Sequence, residues 1–271
     1  MFTGVRFICT MRQLNMPVAL TIAGSDSGGE AGIQADLRTF AELKVHGATA
    51  ITCLTAQNPG RISRLEPCPT KMVRAQLEAI TAHFTPASAK TGMLFSAAIV
   101  REVALFFKRN PRIPLVVDPV MVSTSGRRLL QIEGIKALKE QLLPLAAIVT
   151  PNLAEAEILI GGKIRSLAQL RAAARVIYQS FGCAALVKGG HLREAGGAVD
   201  FFHGREGEWM LSSPRAAKVA LHGTGCVYSA AITAGLARGK SRIQSAELAK
   251  NYITRRIYET RSRLAVRSRN F

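Results

Sequence analysis

The chain has 271 residues, enough for one large α/β unit or two small ones with a substantial core. Hydrophobic residues make up 48% and charged residues 20%, which excludes a disordered chain, and no apolar run approaches the ~18–20 residues of a membrane-spanning helix. With 36 Lys/Arg against 18 Asp/Glu the net charge is +18, so nucleic acid has to be weighed as a partner.

In chain order, residues 1–15 are mildly basic and lack a continuous apolar core with a small-residue cleavage site. They are expected to form a disordered extension, and residues 16–271 a single domain. "VALTIAG" (18–24) predicts a strand, followed by an amphipathic helix ending near Val45. "ATAITCLTA" (48–56) predicts a strand before a helix around 70–82, and "SAKTGML" one before a helix around 96–109. "LVVDPV" and "AAIVT" (146–150) read as further strands; "PNLAEAEILIG" and a helix around 166–180 lead to the strand "AALVKGG". "AVDFFHG" and "EWMLSS" flank a turn and predict a hairpin, and helices at about 224–238 and 243–264 complete the chain. Continuous apolar strands separated by helices indicate a mostly parallel sheet buried on both faces, a three-layer α/β/α fold.

Five cysteines (Cys9, Cys53, Cys68, Cys183, Cys226) are scattered without a C-x-x-C pair. An odd, unpaired set argues against a disulfide framework or zinc site and for a reducing cytoplasm. Residues 238–271 alone carry +8. No aromatic stacking surface or zinc-finger spacing accompanies that charge, so a solvated, mostly exposed basic helix with weak polyanion attraction is expected, not specific nucleic-acid binding.

Open α/β sheets gather their sites at the carboxyl ends of strands. Here those ends carry Asp26, Gln57 with Asn58, Asp118, Asn152 and Lys188, which suggests one shared cleft. The stretch "LHGTGCVYSAAITAGLARG" (221–239) sets Gly223, Thr224, Gly225 and Cys226 at the start of a helix. Free N–H groups there attract anions, glycines allow close approach, and the helix field favours a thiolate. A tight turn with a buried packing thiol explains the same residues equally well. "GLARGKS" misses the Walker spacing and follows a helix, and "GTGCVY" has Tyr228 where a dinucleotide loop needs glycine.

A glycine turn opening a helix beside acidic strand ends suits phosphoryl transfer. The Gly223–Cys226 N–H groups would stabilise the phosphoryl charge. Asp118 and the pair Asn152/Glu155, spaced i,i+3, would hold a metal through water, and Cys226 stands where a base is needed.

"ALTIAGSDSGGEAGIQADLRTF", "AITCLTAQN", "KTGML", "VVDPVMVSTSG", "VTPNLAEAE", "LVKGGH" and "HGTGCVYSAAITAGLARG" occur in this order across about residues 17–240. The set resembles the hydroxymethylpyrimidine/phosphomethylpyrimidine kinases of thiamine biosynthesis, which are ribokinase-like. The resemblance implies a cytoplasmic, ATP- and Mg²⁺-dependent kinase, a homodimer, acting on 4-amino-5-hydroxymethyl-2-methylpyrimidine and then on its monophosphate. It assigns Gly223, Thr224 and Gly225 to an anion hole with Cys226 as base, and Gln57 to the aminopyrimidine edge. Gly24, Asp36 and Met93 become pocket residues, Lys188 and Asn152 nucleotide-side residues, and Asp118 and Glu155 metal residues. A pyridoxal kinase of the same fold, or a binding protein without turnover, are the competing readings. The sequence departs from the family at Glu30, which is expected beside the pocket mouth, at Arg127 and at Leu221. It also ends in "RRIYETRSRLAVRSRNF" instead of a glycine-rich segment.

Overall fold

Strands and helices alternate because apolar runs alternate with segments of helical period. A computed structural model of the chain describes residues 16–58, 60–122, 128–190, 192, 196–214 and 223–267, with side chains through Thr260. The extension expected over 1–15 and the departures at Arg127 and Leu221 lie outside the described residues. The elements are β1 (Val18–Asp26), α1 (Gly32–Glu42), β2 (His46–Asn58), β3 (Arg61–Pro67), α2 (Thr70–His83), β4 (Ser88–Thr91) and α3 (Ala97–Arg109). There follow β5 (Leu115–Val117), α4 (Ile132–Ala137), β6 (Ile148–Val149), α5 (Leu153–Ile160), α6 (Leu167–Phe181) and β7 (Ala184–Lys188). The hairpin β8 (Ala198–Gly204) and β9 (Gly207–Ser213) precedes α7 (Thr224–Ala237) and α8 (Arg242–Arg267).

The nine strands form one sheet in the order β3-β2-β1-β4-β5-β6-β7-β8-β9. The pairs from β2 through β7 are parallel, whereas β3, β8 and β9 add antiparallel edges. Alternate strand residues feed two cores. Leu20, Val117, Ala185 and Val187 face the layer holding α2, α3, α5 and α6. Val116, Ala184 and Leu186 face α1, α7 and α8. This is the three-layer, mostly parallel arrangement expected from the sequence. Strand order reverses between β1 and β4, and that switch point opens a crevice at their carboxyl ends.

Two features depart from expectation. β3 was not anticipated; its "RISRLEP", with Ile62 and Leu65 three residues apart across a register shift, pairs antiparallel to an unusually long β2 on the sheet edge. Helix α4 continues through a π turn (Leu138–Leu142) and a 3₁₀ turn (Leu143–Leu145) that no periodicity announced. Among the described residues, no helix is long and apolar enough to cross a membrane.

Candidate active site

The floor of the crevice is built by two glycine turns pressed together. The Asp26 carboxylate at the end of β1 accepts the N–H groups of Gly28 (2.9 Å), Glu30 (3.0 Å) and Ala31 (2.8 Å), which curls residues 27–31 back toward the sheet. Gly32, at φ 56°, then lies so close to β1 that a Cβ there would meet Gly24 O at 2.4 Å. Gly223, the residue before α7, has φ 77°, and a Cβ on it would sit 2.1 Å from Glu30 O. Only glycine satisfies both constraints at once. Asp26 is therefore spent on the loop. The Glu30 side chain is exposed and is not part of the cavity wall, while its carbonyl packs against Gly223 and its neighbours Ala31 and Gly32 line the cavity.

Above this floor lies a cavity of about 570 Å³. Its wall contains Gly24, Asp36, Gln57, Met93, Asp118, Asn152, Glu155, Lys188 and the Gly223–Cys226 turn, whereas Asn58 lies outside it. At one end the Met93 side chain covers Gly24, where a Cβ would lie 2.6 Å from Met93 Cε. Met93 packs with Cys53 and Leu129, an apolar wall suited to the face of a small ring. Gln57 follows a register shift in the β2–β3 pairing. Its backbone N–H donates to Ser27 Oγ at 2.8 Å, its Oε1 accepts from Thr55 Oγ1 at 3.4 Å, and the residue lines the same cavity.

Beneath Cys226 lies a buried ion pair that the sequence reading missed. Lys90 Nζ donates to Asp36 Oδ1 at 2.7 Å, and Thr21 Oγ1 donates to Asp36 Oδ2 at 2.7 Å. Burial works most strongly against a charge on Lys90, but Asp36, Cys226 and Asp118 together override it and hold the lysine above its usual range. Lysine inside the strand "SAKT" was the available signal, because all four positions of β4 are buried.

Cys226 occupies the first turn of α7, as expected, but its thiol does not behave as the helix field alone predicts. Burial pushes it up to about 11, and Asp36 and Asp118 push the same way. Lys90 and the Gly32 N–H, which donates to the sulfur, pull it down without compensating. Removal from water outweighs a dipole of about half a charge. At pH 7 the thiol form therefore predominates.

Beside the same turn, Asp118 Oδ1 accepts from Lys188 Nζ at 3.3 Å and Oδ2 from Ser229 Oγ at 3.1 Å. Burial opposes charge on Lys188, but Asp118 and Glu155 override it and hold the lysine above its usual range. Asn152 and Glu155 close a capping box on α5: Asn152 Oδ1 accepts the Glu155 N–H at 2.9 Å, and Glu155 Oε2 the Asn152 N–H at 3.0 Å. Glu155 Oε1 accepts the Met121 N–H at 3.2 Å. Burial first, and Asp118 second, push the Glu155 carboxyl up to about 6.

Among the described residues, no three His, Cys, Asp or Glu side chains cluster as a metal cage. Two adjacent carboxylates already engaged by protein donors fit a hard cation that keeps most of its water, the usual manner of Mg²⁺ beside phosphates.

The far wall comes from α8, where the expectation of a mostly exposed basic helix fails. Lys250 is buried, Ile253, Thr254 and Ile257 face the cavity, and Tyr252 donates to Glu42 Oε2 at 2.5 Å. Arg242 pairs with Glu206 at 2.6 Å and Arg256 with Glu42 at 2.8 Å, so part of the positive charge is neutralised within the fold. Charge counting masked the apolar stripe Ile243, Ala246, Ala249, Ile253 and Ile257, whose spacing marks a docked face.

Four similarities bear on this geometry. The family model described as phosphomethylpyrimidine kinase matches residues 26–267. The hydroxymethylpyrimidine/phosphomethylpyrimidine kinase of Synechococcus elongatus is 44% identical over 245 residues, 89% of this chain and 91% of the relative. The ADP complex of Bacillus subtilis pyridoxal kinase superposes with a TM-score of 0.82 at 40% identity, covering 88% of this chain and 91% of that one. Phosphomethylpyrimidine kinase from Clostridium difficile 630 superposes with a TM-score of 0.79 at 39% identity, covering 89% and 99%. The matched segment holds the Asp26 loop, the Lys188–Asp118 pair and the glycine turn before α7, and the chain belongs to the phosphomethylpyrimidine kinase family.

Proposed function

We propose that this protein transfers the γ-phosphoryl group of ATP to the hydroxymethyl group of 4-amino-5-hydroxymethyl-2-methylpyrimidine, and then phosphorylates the monophosphate, in thiamine biosynthesis. One observation carries the reading: the Gln57 carboxamide, the Gly223–Cys226 turn and the Lys188–Asp118 pair border the same cavity. A carboxamide offers one donor and one acceptor to an aminopyrimidine edge, while Met93 and Leu129 cover an apolar ring.

In this reading the N–H groups of Gly223 to Cys226 receive the transferring phosphoryl oxygens at the start of α7. Lys188 sits beside them, since a Cβ on Gly225 would lie 3.6 Å from its Nζ, and it neutralises charge on the nucleotide phosphates. Asp118 and Glu155 would hold Mg²⁺ through its waters, with Asn152 fixing Glu155 by the capping box. When bound, that ion supplies positive charge to the phosphate oxygens. Cys226 takes the hydroxymethyl proton, and Lys90 beneath it is the charge that favours the thiolate.

Pyridoxal phosphorylation is the second reading, favoured by the superposition on the Bacillus subtilis pyridoxal kinase. ADP release from purified protein, ATP and Mg²⁺ with each alcohol separates the two. The proposal expects a higher kcat/KM for the pyrimidine, with mono- and diphosphate products; a preference for pyridoxal reverses the assignment.

A further inference from the structure

One buried carboxylate on the cavity wall has no part in the chemistry above. Asp200, on β8, is only 3% exposed. Its Oδ1 accepts the Gly189 N–H at 3.1 Å. Its Oδ2 accepts both the Tyr228 hydroxyl at 2.9 Å and Lys250 Nζ at 2.8 Å. Lys250 also donates to Ala198 O at 2.8 Å. Asp200 is the cross-strand partner of Lys188. Four segments thus meet on one side chain: the end of β7, β8, α7 and α8.

We propose that Asp200 is a positioning residue for phosphoryl transfer, holding the Lys188 ammonium and the Gly223–Cys226 turn at a fixed separation. This rests on the kinase reading. On one side Asp200 grips the N–H next to Lys188. Gly189 is packed closely there, with no room for a side chain: a Cβ would meet Leu170 Cδ2 and Val199 O, both at 2.6 Å. On the other side it grips Tyr228, which lies on α7 two residues beyond Cys226. Lys250 balances the carboxylate charge, so the brace is neutral, and it draws α8 against the same point. Lys188 and the turn belong to segments far apart in sequence, and their register decides whether both reach one phosphoryl group.

The test is steady-state kinetics of wild type, Tyr228→Phe and Asp200→Asn with the pyrimidine alcohol, alongside thermal melts. Tyr228→Phe removes one hydroxyl and should lower kcat about tenfold while KM for the alcohol stays within about twofold, since Gln57 and Met93 are untouched. Asp200→Asn should lower kcat about 10–100-fold, and adding Tyr228→Phe to it should cost little more, because the two act as a unit. If Asp200→Asn fails to fold, Tyr228→Phe decides. Variants whose melting points fall while kcat per folded enzyme stays at the wild-type value would overturn the inference alone. A wild type that turns over neither alcohol would overturn the kinase reading and the inference with it.

Discussion

Lys90 Nζ and Asp36 Oδ1 are 2.7 Å apart, and neither side chain is exposed at all. Such a pair gains little over apolar packing, but removing one partner strands a charge in the interior. Asp36→Asn should therefore destabilise the fold by about 3–5 kcal/mol, and Asp36→Asn/Lys90→Met should recover most of that loss. Urea denaturation of the four members of this cycle measures both numbers.

The turn before α7 is constrained just as tightly. Gly223→Ala must accept φ 77° and a Cβ driven into the Glu30 carbonyl, so the backbone has to move. We expect about 1–3 kcal/mol of lost stability and a larger loss of kcat, because the displaced N–H groups are those assigned to the phosphoryl oxygens. Gly225→Ala is milder for the fold: its Cβ would only touch Lys188 Nζ and Asp118 Oδ2, at 3.6 and 3.9 Å. Activity and melting point measured for both separate damage to the turn from damage to the fold.

Gln57→Leu should raise KM for the pyrimidine and leave the melting point nearly unchanged. Gln57 stands at the cavity wall on the end of β2, and its loss leaves base-edge polar groups unpaired at a cost of about 1–3 kcal/mol. Unchanged KM and kcat would remove it from the substrate site.

Glu155 predicts the acid limb of the rate profile. Its carboxyl is pushed from 4.5 up to about 6, so the folded state holds the proton more tightly than the unfolded chain does. The group's contribution to stability is present below 4.5 and disappears as pH rises through about 6. Activity runs the opposite way, because the charged form is the one that holds cation waters. kcat/KM should fall as pH drops below about 6, and Glu155→Gln should abolish that limb at a lower plateau.

What the sequence disclosed follows the physics of each element. Strands β1, β2, β4, β5 and β7 are apolar runs bounded by turn residues, and their polar carboxyl ends converge as parallel topology requires. β3 escaped notice because its residues are mostly exposed and a register shift breaks the strand period, leaving Ile62 and Leu65 three apart, so its pairing depends on the partner strand. Lys90 and Asp200 escaped because their side-chain partners Asp36, Tyr228 and Lys250 lie 54, 28 and 50 residues away, a relation no local pattern encodes. The charge of Cys226 was misjudged for a similar reason. The helix start is visible in "GTGC", but the burial and the two carboxylates that oppose ionisation are properties of the assembled cavity.

The central claim, that the turn carrying Cys226 performs the transfer, is tested most directly by the pH dependence of kcat/KM for wild type and Cys226→Ala with the pyrimidine alcohol. The thiol is pushed up to about 11, and the thiolate is the form that takes the proton. Wild-type kcat/KM should therefore climb from about pH 7 to about pH 9.5, whereas Cys226→Ala should be flat there with kcat lower by about 10²–10⁴-fold. A Cys226→Ala enzyme that turns over like the wild type, with the same rise toward alkaline pH, would contradict the account and leave the cysteine as packing.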